Sequence, residues 1–384
     1  MKERNPDPSK LSIGYFFPQG QTDLIWSDEA ARRTPPITRK VLIDMAQAAE
    51  AVGFDSLFLA DTWSGHQRVS EQFGHMSPKH HAPLLAMGLF GVTEHIGIIS
   101  TFHTTFHQPA HVARMGATLH SFSEGRWAWN VVTGYSEPEV GLFGASSMVE
   151  HDERYAMADE FTSVVKRLWE ETEPVDIDGK YYRVTGRLKE PRPGTAGRPL
   201  IVNAGASPAG LNYAAKHADL LVLAGNTDQI FLDAKSELDR LGKEHGRTDK
   251  VGISPWAVSI IRDNEGEAEE EYERLASTVN EAAAIELAAD ILGNIDSVKK
   301  MFDKMGKDEA IRLLGAATVN IHLMGTPDQV AEKIIALKGS SEMDSLLISF
   351  PLWSPQELAR FTPVLQRLQD AGIWTPPEKR NYSW

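Results

Sequence analysis

Short runs of apolar residues alternate with longer amphipathic ones along the chain. The apolar runs are LSIGYFF (11–17), SLFLAD (56–61), IGIISTF (96–102), WAWNVVTG (127–134), LIVNAG (200–205), LLVLAG (220–225), VGISPWAVSII (251–261) and SLLISF (345–350). Their near-continuous apolarity predicts strands buried on both faces, as in a parallel sheet covered by helices. Between them, Val41, Leu42, Met45, Ala49 and Val52 recur near helical spacing within 37–54. Further helices are predicted over 82–94, 109–123 and 151–171, after Ser207, and near 326–338 and 354–371. Eight strand–helix units argue for an α/β chain folded as a single (β/α)₈ TIM barrel over residues 1–384. An open doubly wound sheet is the alternative, and no GxGxxG follows the first strand to favour its dinucleotide-binding form. Two insertions interrupt the alternation. Residues 62–80 are rich in His, Ser, Gly and aromatics, and residues 262–322 are helical in pattern and acidic.

Composition narrows the function. The chain has 384 residues, no cysteine and a formal net charge of −14. Without cysteine there is no disulfide, thiolate metal site or Cys nucleophile. The acidic balance disfavours nucleic acid and anionic membrane as partners. No apolar run reaches membrane-spanning length, and the N-terminal MKERNPDPSKLSIGYFF lacks a continuous apolar signal core, so a cytoplasmic location is expected. The histidines at 80, 81, 103, 107 and 111 do not form a convincing zinc set, and no metal is expected.

In a barrel of this kind the site lies at the C-terminal ends of the strands. The residues leaving those strands include Ala60 and Asp61, then Thr104, Thr105 and His107, then Asn130, Thr133 and Glu139, then Ser207. Asn130 is an amide inside an otherwise apolar strand, suited either to the core backbone or to a ligand in the barrel mouth. The stretch LIVNAGASPAGLNYAAKHAD (200–219) joins strand to helix through Gly, Ser and Pro. Ser207 suits an N-cap and Pro208 the first helical position. Free amides, a hydroxyl and the positive end of a helix dipole gather there, which suits a phosphate. Arg154 stands in the first turn of another predicted helix, where the dipole does not favour a cation, which points to another task or to a surface pair with Asp152 or Glu153.

Several stretches carry a resemblance: AAEAVGFDSLFLAD, HQPAHVARMGATLHSFSEGRWAWNVVTG, HDERYAMADEFTSVVKRLW, GRPLIVNAGASPAG and HLMGTPDQVAEKIIALK. Over nearly its whole length the chain resembles the flavin-dependent monooxygenases of the bacterial-luciferase-like superfamily. It is most similar to the branch with the pyrimidine, dimethylsulfone, alkanesulfonate, nitrilotriacetate and dibenzothiophene-sulfone enzymes. The resemblance implies a (β/α)₈ barrel that takes reduced FMN (FMNH₂) from a separate NAD(P)H-dependent flavin reductase and uses it with O₂. It implies a small-molecule substrate cleaved at a C–N or C–S bond, and a homo-oligomer. Ser207, Arg154 and Tyr155 match residues that meet the FMN phosphate. Ala60 and Asp61 match residues beside the isoalloxazine, and Asn130 and Glu139 match flavin contacts. Thr104 or Thr105 matches a hydroxyl that works with the Asn near O₂. Phe17, Trp63 and Trp127 are candidates for an aromatic substrate pocket or for core packing. A deazaflavin (F420)-dependent oxidoreductase on the same barrel and a non-catalytic flavin-binding relative are the competing readings.

Overall fold

In a computed structural model of the chain, residues 7, 9–64, 68–134, 137–193, 197–292, 300 and 302–380 are described. Parts of both expected insertions, 65–67 and 293–299, lie outside the described residues. The strands are β1 (Ser12–Phe16), β2 (Ser56–Leu59), β3 (Gly97–His103), β4 (Trp127–Val132), β5 (Val175–Asp178), β6 (Arg183–Gly186), β7 (Leu200–Asn203), β8 (Leu220–Leu223), β9 (Gly252–Ile261), β10 (Ile321–Gly325) and β11 (Ser345–Ser349). The strands β1, β2, β3, β4, β7, β8, β9 and β11 pair in parallel and close on themselves through β8–β9, β9–β11 and β11–β1. Closure leaves no edge and rules out the open sheet. All eight expected apolar runs supply barrel strands.

Side-chain alternation sorts each strand into two faces. Phe16, Phe58, Ile99, Ala128, Val202, Val222 and Leu347 pack together inside the barrel. The intervening residues, among them Tyr15, Leu57, Phe102, Trp127, Trp129 and Ile201, pack outward against the helices. Phe17, just past β1, and Trp127 are buried in this outer core. The Trp127 indole donates to Ser100 Oγ at 2.8 Å and meets Trp169 edge-on.

The helices begin and end where local chemistry allows. Thr38 caps Arg39–Val52 by accepting from the Val41 amide, and Gly53 ends it at φ 109°, in the left-handed region open to glycine. Pro109 opens Pro109–Phe122. Among the described residues no helix is long and apolar enough to cross a membrane.

Two features differ from the sequence pattern. A hairpin, β5–β6, follows the helix His151–Glu170, and the Glu160 carboxylate holds it by accepting the amides of Lys180, Tyr181 and Tyr182. Its strands are short and mixed in polarity, so no apolar run marks them. β10 pairs with the upper half of β9, through 257–261, while β8 pairs with the lower half, through 252–255. β10 thus extends the barrel wall as a ninth strand. Its segment, IHLMG, runs straight into the next helix and looks like that helix's lead-in. The remainder of the described 262–322 segment holds the helices Glu267–Ala276, Glu281–Leu292 and Lys307–Gly315.

Candidate functional site

The registers of β3, β4 and β7 place Thr101 beside Asn130 and Asn130 beside Val202. This row sits directly above the inner layer of Ile99 and Ala128. Ala60 follows the end of β2 and packs on the same inner cluster. A hydrogen-bond chain crosses three strands here. Thr101 Oγ1 donates to the Leu59 carbonyl at 2.9 Å, and Asn130 Nδ2 donates to Thr101 Oγ1 at 2.9 Å. Asn130 is 3% exposed, and its Oδ1 has no hydrogen-bond partner among the described residues. Buried acceptors are nearly always satisfied, so an orphan of this kind calls for an explanation.

The hydroxyl beside Asn130 is thus Thr101. Thr104 and Thr105 turn away: Thr104 bonds the Val132 carbonyl through its amide at 2.9 Å, and Thr105 Oγ1 donates to the Thr133 carbonyl at 2.6 Å. Both pin the β3 loop to the end of β4. Thr101 lies inside an apolar run rather than after it, so the sequence pattern does not mark it as a site residue.

Asp61 and Glu139 shape the rim of the mouth. Asp61 Oδ2 accepts from the Ala82 amide and pairs with His81 Nδ1, both at 2.8 Å, which anchors the first turn of Ala82–Phe90. Glu139 is fully buried in the helix Glu137–Leu142, and its Oε1 accepts the Trp63 amide at 2.7 Å. The Trp63 ring then packs between His81 at 4.9 Å, His107 at 5.7 Å and Phe143 at 5.1 Å. His103 follows Thr101 by one step on the inner face of β3. Burial pushes its imidazole down to about 4, so it is neutral at ordinary pH.

A second cluster stands at the end of β7. Ser207 caps Pro208–His217, its Oγ accepting from the Gly210 amide at 3.1 Å. Asn203 fixes the turn before it: Oδ1 accepts the Gly205 amide at 3.0 Å while Nδ2 donates to the Val131 carbonyl at 3.1 Å. Tyr155 reaches this turn from the first turn of His151–Glu170, its hydroxyl over Gly205, and the Arg154 charge acts on it from the neighbouring position. Arg154 Nη1 donates to the Val149 carbonyl at 2.6 Å. Burial raises the Tyr155 phenol, against the opposing pull of the Arg154 charge and a hydrogen bond with Ser207. His151 joins them, its Nε2 3.4 Å from Ser207 Oγ. A polar residue opening a helix looks solvated, so the sequence pattern does not mark His151. A phenol, a hydroxyl, an imidazole and helix-start amides converge here, with the Arg154 charge close enough to act on the phenol, which is chemistry for a phosphate monoester. Asn203 adjoins Val202, the partner of Asn130, so this corner and the Asn130 row share one rim of the barrel.

Residues 13–341 match the family described as luciferase-like monooxygenase. The chain belongs to this family. It is 30% identical to nitrilotriacetate monooxygenase component A of Aminobacter aminovorans, over 86% of this chain and 85% of that one. It is also 30% identical to dibenzothiophene-sulfone monooxygenase of Rhodococcus erythropolis, over 74% of this chain and 73% of that one. Among solved structures, a long-chain alkane monooxygenase superposes with a TM-score of 0.84 at 26% identity, covering 95% of this chain and 92% of that one. Membership of this family supports an oxidoreductase, carried on a parallel eight-stranded barrel.

Proposed function

We propose that the chain is the oxygenase of a two-component system: it binds FMNH₂ delivered by a separate NAD(P)H-dependent flavin reductase, takes O₂, and oxidises a small organic substrate with cleavage of a C–N or C–S bond. The observation that carries this reading is the pairing, on one rim, of the Tyr155–Ser207–His151 corner, under the Arg154 charge, with the buried orphan Oδ1 of Asn130. Two features fit a flavin mononucleotide. The orphan oxygen suits a ring N–H, and the bare α-carbon of Gly205 leaves room under the Tyr155 hydroxyl where a side chain would collide.

On this reading Arg154, Tyr155, Ser207 and His151 hold the phosphate. Asn130 orients the ring, and Thr101 stands beside it in the role expected of Thr104 or Thr105. Ala60 has no bulk beyond its Cβ and so leaves the ring edge room. Asp61 and Glu139 act on the rim, fixing the helix and the Trp63 segment that keep water from the mouth. Reduced flavin bound there would supply the electrons for O₂ activation. We further propose that the protein works as a homo-oligomer.

The test is oxygen uptake with FMN, a flavin reductase and NADH, over neutral sulfones, pyrimidines, amides and heterocycles, with nitrilotriacetate included. Substrate-dependent product under air supports the reading. Turnover only with reduced F420, without O₂, would replace it.

A further inference from the structure

The hydrogen bonds running inward from Leu59 determine which end of the Asn130 amide faces the mouth. The Leu59 carbonyl can only accept, so Thr101 commits its one hydroxyl proton to it. The Thr101 oxygen can then only accept from Asn130, and the amide must present Nδ2 to it. Turning the amide over would set Oδ1 against an oxygen with no proton left to give. Such orientations are assigned from the network, and here a backbone carbonyl anchors it. Oδ1 is left buried, without a partner among the described residues, as a locked acceptor.

We propose that Thr101 is a positioning residue that makes the site select reduced over oxidised flavin. The inference rests on the FMN reading above. Position N5 of the isoalloxazine carries a hydrogen in the reduced form and a bare lone pair in the oxidised form. An acceptor held toward N5 bonds the first and repels the second, so selectivity comes from repulsion as much as from attraction. A freely turning amide would serve both forms, offering Oδ1 to one and Nδ2 to the other. The Leu59–Thr101 lock removes that second option. The oxygenase would thereby take FMNH₂ from its reductase and release FMN after reoxidation.

Anaerobic titration calorimetry with FMNH₂ and with FMN tests this, on the wild type, Thr101→Val and Thr101→Ser. The wild type should favour FMNH₂ by about tenfold or more, the scale of one satisfied against one mismatched buried polar group. Thr101→Val, of equal shape, should bring the two affinities within about threefold, chiefly by tighter FMN binding. Thr101→Ser keeps the hydroxyl and should keep the wild-type ratio. A purely structural role for Thr101 would weaken both forms alike, and that result overturns the proposal, as does equal wild-type affinity for both. A second probe needs no variant. Reduced 5-deaza-FMN has a CH₂ in place of the N5–H, neither a donor nor a repelling lone pair, so the wild type should bind it more weakly than FMNH₂, and binding as tight as FMNH₂ overturns the proposal. If neither FMN nor FMNH₂ binds the wild type at about 1 mM, the FMN reading itself has failed.

Discussion

The Tyr155 hydroxyl rests on the α-carbon of Gly205, so closely that a Cβ built there would lie 2.1 Å from it. The glycine is required for space rather than for an unusual backbone angle. Gly205→Ala should push the phenol out of the phosphate corner. Anaerobic titration should show FMNH₂ affinity falling by about tenfold, the worth of one hydrogen bond to a charged group. Unchanged affinity would remove Tyr155 from the set of phosphate ligands.

Arg154→Ala should cost about 1–3 kcal/mol of FMNH₂ binding if its guanidinium pairs with the phosphate as proposed. Reduced riboflavin has no phosphate and serves as the control. Its affinity should not change. A mutant that loses both ligands equally would point to a damaged fold instead.

Asn130→Ala leaves the phosphate corner intact, so FMNH₂ should still bind. Turnover to product should fall by about 10²- to 10³-fold, as when one preorganised polar group is lost from a reacting centre. Oxygen uptake should continue and end as hydrogen peroxide. The measurement is product formed per FMNH₂ oxidised, and wild-type coupling in the mutant would make Asn130 a core amide.

Stability should fall in mild acid because of His103. Burial holds its folded value at about 4, below the ordinary 6.5. The unfolded chain therefore binds a proton between those values that the folded chain refuses. The stability is fully present above pH 6.5 and is lost as pH falls toward 4. By pH 5 this one group should remove about 2 kcal/mol. Urea unfolding at pH 7 and pH 5 should show a smaller difference for His103→Gln than for the wild type.

At the opposite end of the barrel Arg380 and Asp55 form an ion pair, each side chain 3% exposed. Asp55 Oδ2 also accepts from the Ile13 amide at 2.7 Å and the Trp374 indole at 3.0 Å, tying the C-terminal segment under β1 and β2. Burial raises the Asp55 carboxyl, while the Arg380 charge opposes it. Arg380→Met would strand that carboxylate and should destabilise the fold by about 3–5 kcal/mol. FMNH₂ affinity at a temperature where the mutant is folded should match the wild type, because the site lies beyond the other ends of these strands.

The alternation of apolar runs with amphipathic ones determined the eight barrel strands, because a strand buried on both faces must be apolar throughout. Local chemistry likewise determined the cap at Ser207, where hydroxyl, proline and glycine act within one turn. Tertiary structure alone decided the rest. Strand alternation says that Asn130 and Trp127 lie on opposite faces, but not which of the two faces is inner, so Trp127 could be placed either in the core or in a pocket. Only inter-strand register puts Thr101, rather than Thr104 or Thr105, beside Asn130. The same is true of His151 at Ser207 and Glu139 at Trp63, contacts between residues 56 and 76 positions apart. Period and propensity act over a few neighbouring residues, whereas the hydrogen bonds that orient the Asn130 amide run from Leu59 through Thr101 across three strands, and they exist only once the barrel has closed.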